Sequence, residues 1–335
     1  ADLPLGTDTS LWGEGAGDIL PVYSETRALS SRWFLHHIRR AIASGAAETI
    51  EDPLPQEILA QYHLPKLKTA LVWAHMPQKK GDAESARKRF SFEEIFFIQI
   101  ARQKERRAYQ AHGAFTIPKR KEDVATFLSR FPFAPTAAQT RAIGTIAEDF
   151  EREKPMLRLL EGDVGSGKTL VAAATAYAAA TTNPKNQNFG NLQIAYMAPT
   201  EILAQQHFGS FISYFSHLPI NIALITGSGC KKFPSKAFPD KATDISRTQL
   251  LKWIANGEIA IVIGTHALIE KSVKFKDLAY VIIDEQHRFG TMQRSKLVRK
   301  DARVPHLLSM TATPIPRTLA LTIYGDLDLT LLDEM

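Results

Sequence analysis

The stretch Gly162-Asp163-Val164-Gly165-Ser166-Gly167-Lys168-Thr169 decides the reading of this chain. It fits G-x-x-x-x-G-K-[ST], a spacing that builds a phosphate cradle. Its three glycines open backbone conformations closed to residues with a Cβ, so successive N–H groups can turn inward around an anion. A helix starting at Lys168 aims its positive end at the same phosphates. Lys168 then reaches the β and γ phosphates of a nucleoside triphosphate, and the Thr169 hydroxyl holds Mg²⁺.

The flanks have the order this loop requires. Met156-Leu-Arg-Leu-Leu160 reads as a buried strand, and the alanine-rich run after Thr169 reads as a helix. Further out, apolar runs at 157–161, 193–198, 222–226, 259–263, 279–283 and 306–310 alternate with helical stretches. That alternation predicts an α/β fold with a parallel sheet covered by helices on both faces. Residues 231–244 are polar and contain Pro234 and Pro239, and they read as a mobile surface loop.

The run Tyr280-Val-Ile-Ile-Asp-Glu-Gln-His287 ends a strand in two carboxylates, which places Asp284 and Glu285 at the carboxyl edge of the sheet. Asp284 suits a Mg²⁺ shell, directly or through water. Glu285 is placed to orient or deprotonate the attacking water in phosphoryl transfer. Upstream, Phe131-Pro-Phe-Ala-Pro-Thr-Ala-Ala-Gln139 offers an aromatic to stack on a base. It also offers a Gln139 amide that can pair with the adenine N6/N7 edge, which points to ATP. Thr200, Gly227, Thr265 and His266 each follow a predicted strand, at turns whose N–H groups and hydroxyls hold phosphates without reading sequence. Thr311 and Thr313, in Ser309-Met-Thr-Ala-Thr-Pro, can bond the Asp284-Glu285 carboxylates and pass nucleotide state onward.

The rest of the chain bounds these readings. Of 335 residues, 44% are hydrophobic and 23% charged, as in an ordinary globular protein of about two domains. The single cysteine, Cys230, excludes an internal disulfide and fits a reducing, cytoplasmic compartment. No apolar run approaches the ~20 residues that span a bilayer, so no membrane partner is expected. Between Lys79 and Lys121, twelve Lys and Arg stand against five acids. Such a block suggests a polyanionic partner, or else a solvated helix face. Residues 26–112 read as helical. Helix 28–44 carries Leu29, Trp33, Ile38 and Ile42 at a 3.6 period, and the helix over 83–112 holds an apolar cluster from Phe90 to Ile100 that reads as core. Asp18-Ile-Leu-Pro-Val-Tyr23 looks like a last strand leaving another domain.

Taken in order, the set resembles the superfamily 2 helicases, and within them the RecG family. The resemblance rests on the loop at 162–169, Ala198-Pro-Thr-Glu-Ile-Leu-Ala204 and Gly264-Thr-His-Ala-Leu-Ile269. It continues through Asp284-Glu-Gln-His-Arg-Phe-Gly290 and Met310-Thr-Ala-Thr-Pro-Ile-Pro-Arg-Thr-Leu319. Transcription-repair coupling translocases share much of this, but usually carry Phe where Ser166 stands. Thr291 where Val is expected, Ser24 where Pro is expected, and the long 231–244 segment depart from the family pattern.

The resemblance implies a RecA-like P-loop domain at 126–335, preceded by a helical linker at 26–125 and the end of an OB-type wedge domain at 1–25. It implies ATP-driven translocation on double-stranded DNA that remodels branched structures. It also implies that Gln286 and His287 couple the nucleotide to the DNA, that Thr200, Gly227, Thr265 and His266 touch the DNA backbone, and that a second RecA-like domain supplies an arginine finger. A chain ending before that domain is expected to bind ATP and turn it over slowly, as a nucleotide- and DNA-binding module. A small-molecule P-loop kinase does not explain the Asp-Glu-Gln-His string.

Overall fold

Alanine dominates the helix after the phosphate loop, and its small side chains let the helix lie close on the sheet. The computed structural model describes residues 21–27, 29–118, 121–184, 187, 189–284, 303–312 and 325–334. Packing divides the chain into two units, Ala1–Ile100 and Ala101–Met335.

The second unit carries the sheet. Its strands are β1 (Leu157–Gly162), β2 (Gln193–Met197), β3 (Ile222–Ile225), β4 (Cys230–Phe233), β5 (Thr243–Asp244), β6 (Ile261–Gly264), β7 (Leu278–Asp284), β8 (His306–Thr311) and β9 (Asp328–Leu332). Among the described residues they form one sheet in the order β5-β4-β3-β6-β2-β7-β8-β1-β9. All pairings from β3 to β9 are parallel. Only β4 runs the other way, antiparallel to β3 on one side and to β5 on the other.

Side chains alternate across a strand, and here the two sets enter two cores. Leu160, Ile194, Tyr196, Ile282 and Leu308 enter the core beneath α5 (Lys121–Leu128), α6 (Ala137–Phe150), α7 (Lys168–Ala180) and α8 (Glu201–Phe215). Leu159, Ala195, Val262, Val281 and Leu307 enter the opposite core with Leu250 and Ile254 of α9 (Arg247–Asn256). Burial on both faces is why these strands read as unbroken apolar runs. A buried ion pair crosses this packing: Arg158 Nε of β1 donates to Asp149 Oδ2 of α6 at 2.9 Å, and Arg158 Nη1 donates to Thr330 Oγ1 of β9 at 2.7 Å.

The expected six strands stand within a residue or two of their predicted bounds, and three more join them. Residues 231–244 correct the surface-loop reading, because their ends form β4 and β5 on the edge of β3. β9 pairs with β1 over Arg158–Gly162.

The first unit is helical: α1 (Ser31–Ala43), α2 (Gln56–Gln61), α3 (Leu67–His75) and the start of α4 (Lys80–Gln110), whose last turns belong to the second unit. Its small core joins Leu54, Leu59 and Leu64 to Phe92 and Phe96. Two expectations change here. On α1 the buried residue is Leu35, while Trp33 is exposed and stacks on His37 at 3.8 Å between ring centroids. On α4 the apolar run is not all core, since Ile95, Phe97 and Ile98 are exposed. An unbroken apolar run covers a helix all round, and the 92/96 stripe is what meets the Leu54–Leu64 cluster.

The basic block is also partly internal. Arg89 is fully buried, donating from Nη2 to Asp52 Oδ1 at 2.6 Å and from Nε to the Pro65 carbonyl at 3.1 Å, with Glu93 as a further partner. Arg106 pairs with Asp328 at 2.8 Å. No helix among the described residues is long and apolar enough to cross a membrane.

Candidate nucleotide and DNA site

Parallel pairing sends the carboxyl ends of β1, β2, β3, β6, β7 and β8 to one edge, and nearly every described candidate stands there. The loop from Gly162 to Thr169 leaves β1. Gly165 and Gly167 take φ of +88° and +79°, the left-handed region, and Gly167 is the N-cap of α7. Gly162 has no room for a Cβ, which would lie 2.6 Å from Ser166 Oγ and 2.9 Å from Leu332 Cβ. Asp163, Val164 and Gly165 are exposed at the tip, while Ser166 is buried and its Oγ has no hydrogen-bond partner among the described residues. Lys168 folds over the loop, donating from Nζ to the Gly162 carbonyl at 2.7 Å and the Asp163 carbonyl at 2.8 Å. The loop thus turns back on itself, Ser166 N donating to the Asp163 carbonyl at 3.1 Å, with the ammonium folded on its carbonyls.

Gln139 stands in the first turn of α6. It is buried, and both ends of its amide are occupied by protein. Its Oε1 accepts from Thr136 N at 3.0 Å, closing a capping box at the start of α6. Its Nε2 donates to the Ser166 carbonyl at 2.9 Å. The observed amide therefore fastens the phosphate loop to α6. Of the two phenylalanines in the stretch before it, Phe133 is exposed.

Asp284 ends β7 at the same edge, its register partner on β8 being Met310. Thr311 follows, buried and opposite Glu161 of β1. Glu285, Gln286, His287 and Thr313 lie outside the described residues. Among the described residues no three His, Cys, Asp or Glu side chains cluster as a metal site.

Asp284 has a partner that sequence reading missed. His207 Nε2 lies 2.8 Å from Asp284 Oδ2, and His207 Nδ1 lies 3.4 Å from the Tyr196 hydroxyl. Burial, then the nearby Asp284 charge, push the Tyr196 hydroxyl well above its ordinary pKa, so it stays protonated. Behind them, Thr175 Oγ1 of α7 and the Tyr280 hydroxyl of β7 share a 3.0 Å hydrogen bond that ties the helix of the phosphate loop to the strand of Asp284.

The remaining turns meet at Glu201. Thr200 caps α8, its Oγ1 accepting from Leu203 N at 3.3 Å. Glu201 Oε1 accepts from Gly227 N at 2.8 Å, and a Cβ on Gly227 would lie 2.7 Å from that oxygen. The Ser228 hydroxyl, with the Gly227 and Ser228 N–H groups and the nearby His266, holds the Glu201 carboxyl below its usual range against a smaller effect of burial. The loops after β2, β3 and β6 are therefore brought together, as neighbouring strands require. Thr265 is buried with β6, and His266, which opens the short 3₁₀ turn after it, is exposed.

A glycine-rich loop leading into a helix, a strand-end carboxylate and a row of turns on one parallel edge define a P-loop α/β domain. A family profile described as DEAD/DEAH box helicase matches residues 136–322, more than half of the chain, and the chain belongs to that family. Membership carries nucleotide use with it.

Within the family the chain is similar to the ATP-dependent DNA helicase RecG. It is 39% identical over 322 residues to RecG of Synechocystis sp., covering 95% of this chain and 36% of the relative. It is 41% identical over 321 residues to RecG of Bacillus subtilis, covering 95% and 43%. A solved structure of RecG bound to a three-way DNA junction matches with a TM-score of 0.73 at 36% identity, over 94% of this chain and 40% of that one. The chain thus spans less than half the length of the curated relatives it matches.

Proposed function

We propose that this chain is the ATP-binding motor portion of a helicase that remodels branched double-stranded DNA. One observation carries the reading: a single sheet edge bears both the phosphate cradle with Asp284 and the joined turns of Thr200, Gly227 and His266. The similarity to a RecG that binds a three-way junction supports branched DNA as the partner.

In this reading Lys168 leaves the loop carbonyls for the β and γ phosphates, and the loop N–H groups from Asp163 to Gly167 hold the rest. Thr169 and Asp284 hold Mg²⁺, which when bound neutralises charge on the transferring phosphoryl group. Glu285 orients or deprotonates the attacking water. Phe133 offers the base a face, and Gln139 selects adenine by exchanging its protein partners for the base edge. Gln286, His287, Thr311 and Thr313 pass nucleotide state toward the DNA, which Thr200, Gly227, Thr265 and His266 meet at its backbone. Residues 1–25, 26–125 and 126–335 correspond to the end of a wedge domain, a linker and the first RecA-like domain. A second RecA-like domain completes the site, and the whole works in the cytoplasm.

The test compares DNA-stimulated ATP hydrolysis by this chain with that of a form extended through the next domain. Stimulated turnover by the extended form, with nucleotide and forked DNA bound by both, is the expected result. Appreciable stimulated turnover by the chain alone would remove the need for a second domain. Failure of both to bind forked DNA would end the motor reading.

A further inference from the structure

Two groups in the site are joined by an element that neither needs for its own chemistry. Helix α8 carries Thr200 as its cap and Glu201 as its first residue, and Glu201 is fastened to the Gly227 turn. Six residues further along the same helix, His207 reaches Asp284. At 1.5 Å per residue the two attachments lie about 9 Å apart along one rigid axis. His207 is buried, its ring packed against Tyr196 with centroids 4.7 Å apart, so it has little freedom to follow Asp284 if the helix moves.

We propose that His207 is a positioning residue for the Asp284 carboxylate, and that α8 links the DNA-facing turns to the cation ligand. The proposal rests on the motor reading above. An ionised carboxylate is an acceptor, so the imidazole supplies the N–H from Nε2 and the Tyr196 hydroxyl faces Nδ1. One oxygen of Asp284 is committed to this bond, which fixes the plane of the carboxylate and the direction its other oxygen presents to a cation. A hydrogen bond of 2.8 Å is lost beyond about 3.5 Å, so a displacement of α8 of under ~1 Å is enough to release it. A DNA phosphate drawn to the Gly227 N–H competes with the Glu201 carboxylate already there and so acts on the first turn of α8. The same helix then tightens or relaxes the hold on Asp284. This gives the DNA edge a route to the nucleotide site within one RecA-like domain, separate from the segment at 285–302.

The experiment measures binding of a fluorescent mant-ADP to the 335-residue chain in Mg²⁺ and in EDTA, with and without a forked DNA duplex. DNA binding is followed in parallel by anisotropy. For His207→Ala we expect affinity in Mg²⁺ to fall about tenfold, the low end for loss of an outer partner of a metal ligand. Affinity in EDTA and DNA affinity should stay within about twofold, and the effect of DNA on Mg²⁺-dependent affinity should vanish. His207→Gln keeps a side-chain N–H and is expected to recover most of the Mg²⁺-dependent affinity, a rescue that a purely structural role does not produce. Equal losses in Mg²⁺ and EDTA, no loss in Mg²⁺, or no recovery by Gln would each overturn the proposal. A wild-type chain that binds neither nucleotide nor DNA overturns the motor reading with it. A wild-type chain that binds both, with His207→Ala indistinguishable from it, overturns the positioning role alone.

Discussion

Gln139 and Gly167 stand so close that a Cβ on the glycine would overlap the glutamine amide nitrogen. The glycine is doubly required, because its φ of +79° already disfavours any residue with a side chain by about 1–2 kcal/mol. Gly167→Ala is therefore expected to distort the loop and weaken ATP binding by more than tenfold. Thermal stability should fall by no more than a few degrees. Tight mant-ATP binding by this variant would contradict the geometry.

Replacing Gln139 by Ala separates two roles. The variant loses the capping-box bond to Thr136 and the bond to the Ser166 carbonyl, at a cost of about 1 kcal/mol for the cap. If the amide also reads adenine, ATP affinity should fall several-fold while GTP affinity changes little. Parallel losses for ATP and GTP would confine Gln139 to fastening the loop. Competition titrations with the two nucleotides decide between these.

In the first unit, Asp52 neutralises Arg89 and also accepts from Leu54 N at 3.0 Å and Leu67 N at 2.7 Å. Asp52→Ala leaves a fully buried guanidinium with Glu93 as its one carboxylate partner among the described residues, and should destabilise this unit by about 3 kcal/mol. Hydrogen exchange should quicken over residues 54–75 with little change in β1 or β7. A normal exchange pattern would mean that Arg89 is not held by this pair.

His306 sets a pH limit on the second unit. It is buried with its Nδ1 accepting from Met156 N at 3.0 Å and its Nε2 donating to the Phe115 carbonyl at 2.7 Å. Burial pushes its pKa down to about 4, from near 6.5 in an unfolded chain. A depressed value means the neutral ring is favoured by folding, so its contribution is whole above pH 6.5 and lost as pH falls toward 4. The loss should be about 2 kcal/mol at pH 5 and ~3 kcal/mol at pH 4. Urea unfolding at pH 7.5 and 5 measures it, and His306→Gln should flatten the difference. An unchanged slope in that variant would assign the acid sensitivity elsewhere.

The strands buried on both faces were legible because each is a continuous apolar run next to turn residues, as in Tyr280-Val-Ile-Ile before Asp284. β5 was not, since it is two exposed residues that pair only because β4 lies beside them. β9 shows a mixed Asp-Leu-Thr-Leu-Leu pattern that β1 alone selects as a strand. In the site, the glycine spacing and the strand-end carboxylate announce themselves locally. His207 and Glu201 do not, because their partners lie 77 and 26 residues away and only the strand order brings them together. Gln139 was visible as a residue, but not the direction its amide takes.

The hairpin of β4 and β5 has a consequence for solubility. Without it, β3 would offer a bare row of N–H and C=O groups along Ile222–Ile225, a template for another chain. The segment instead ends the sheet on a two-residue strand, flanked by exposed Lys231, Lys236 and Lys241, which is poor at recruiting a further strand. Removing residues 231–244 and joining their ends should leave the nucleotide edge intact. The product should self-associate at micromolar concentration, as light scattering would register, and a shortened chain that stays monomeric would show that β3 is protected by something else. This appended hairpin acts as a guard against aggregation for a sheet whose interior strands have no solvent-facing side of their own.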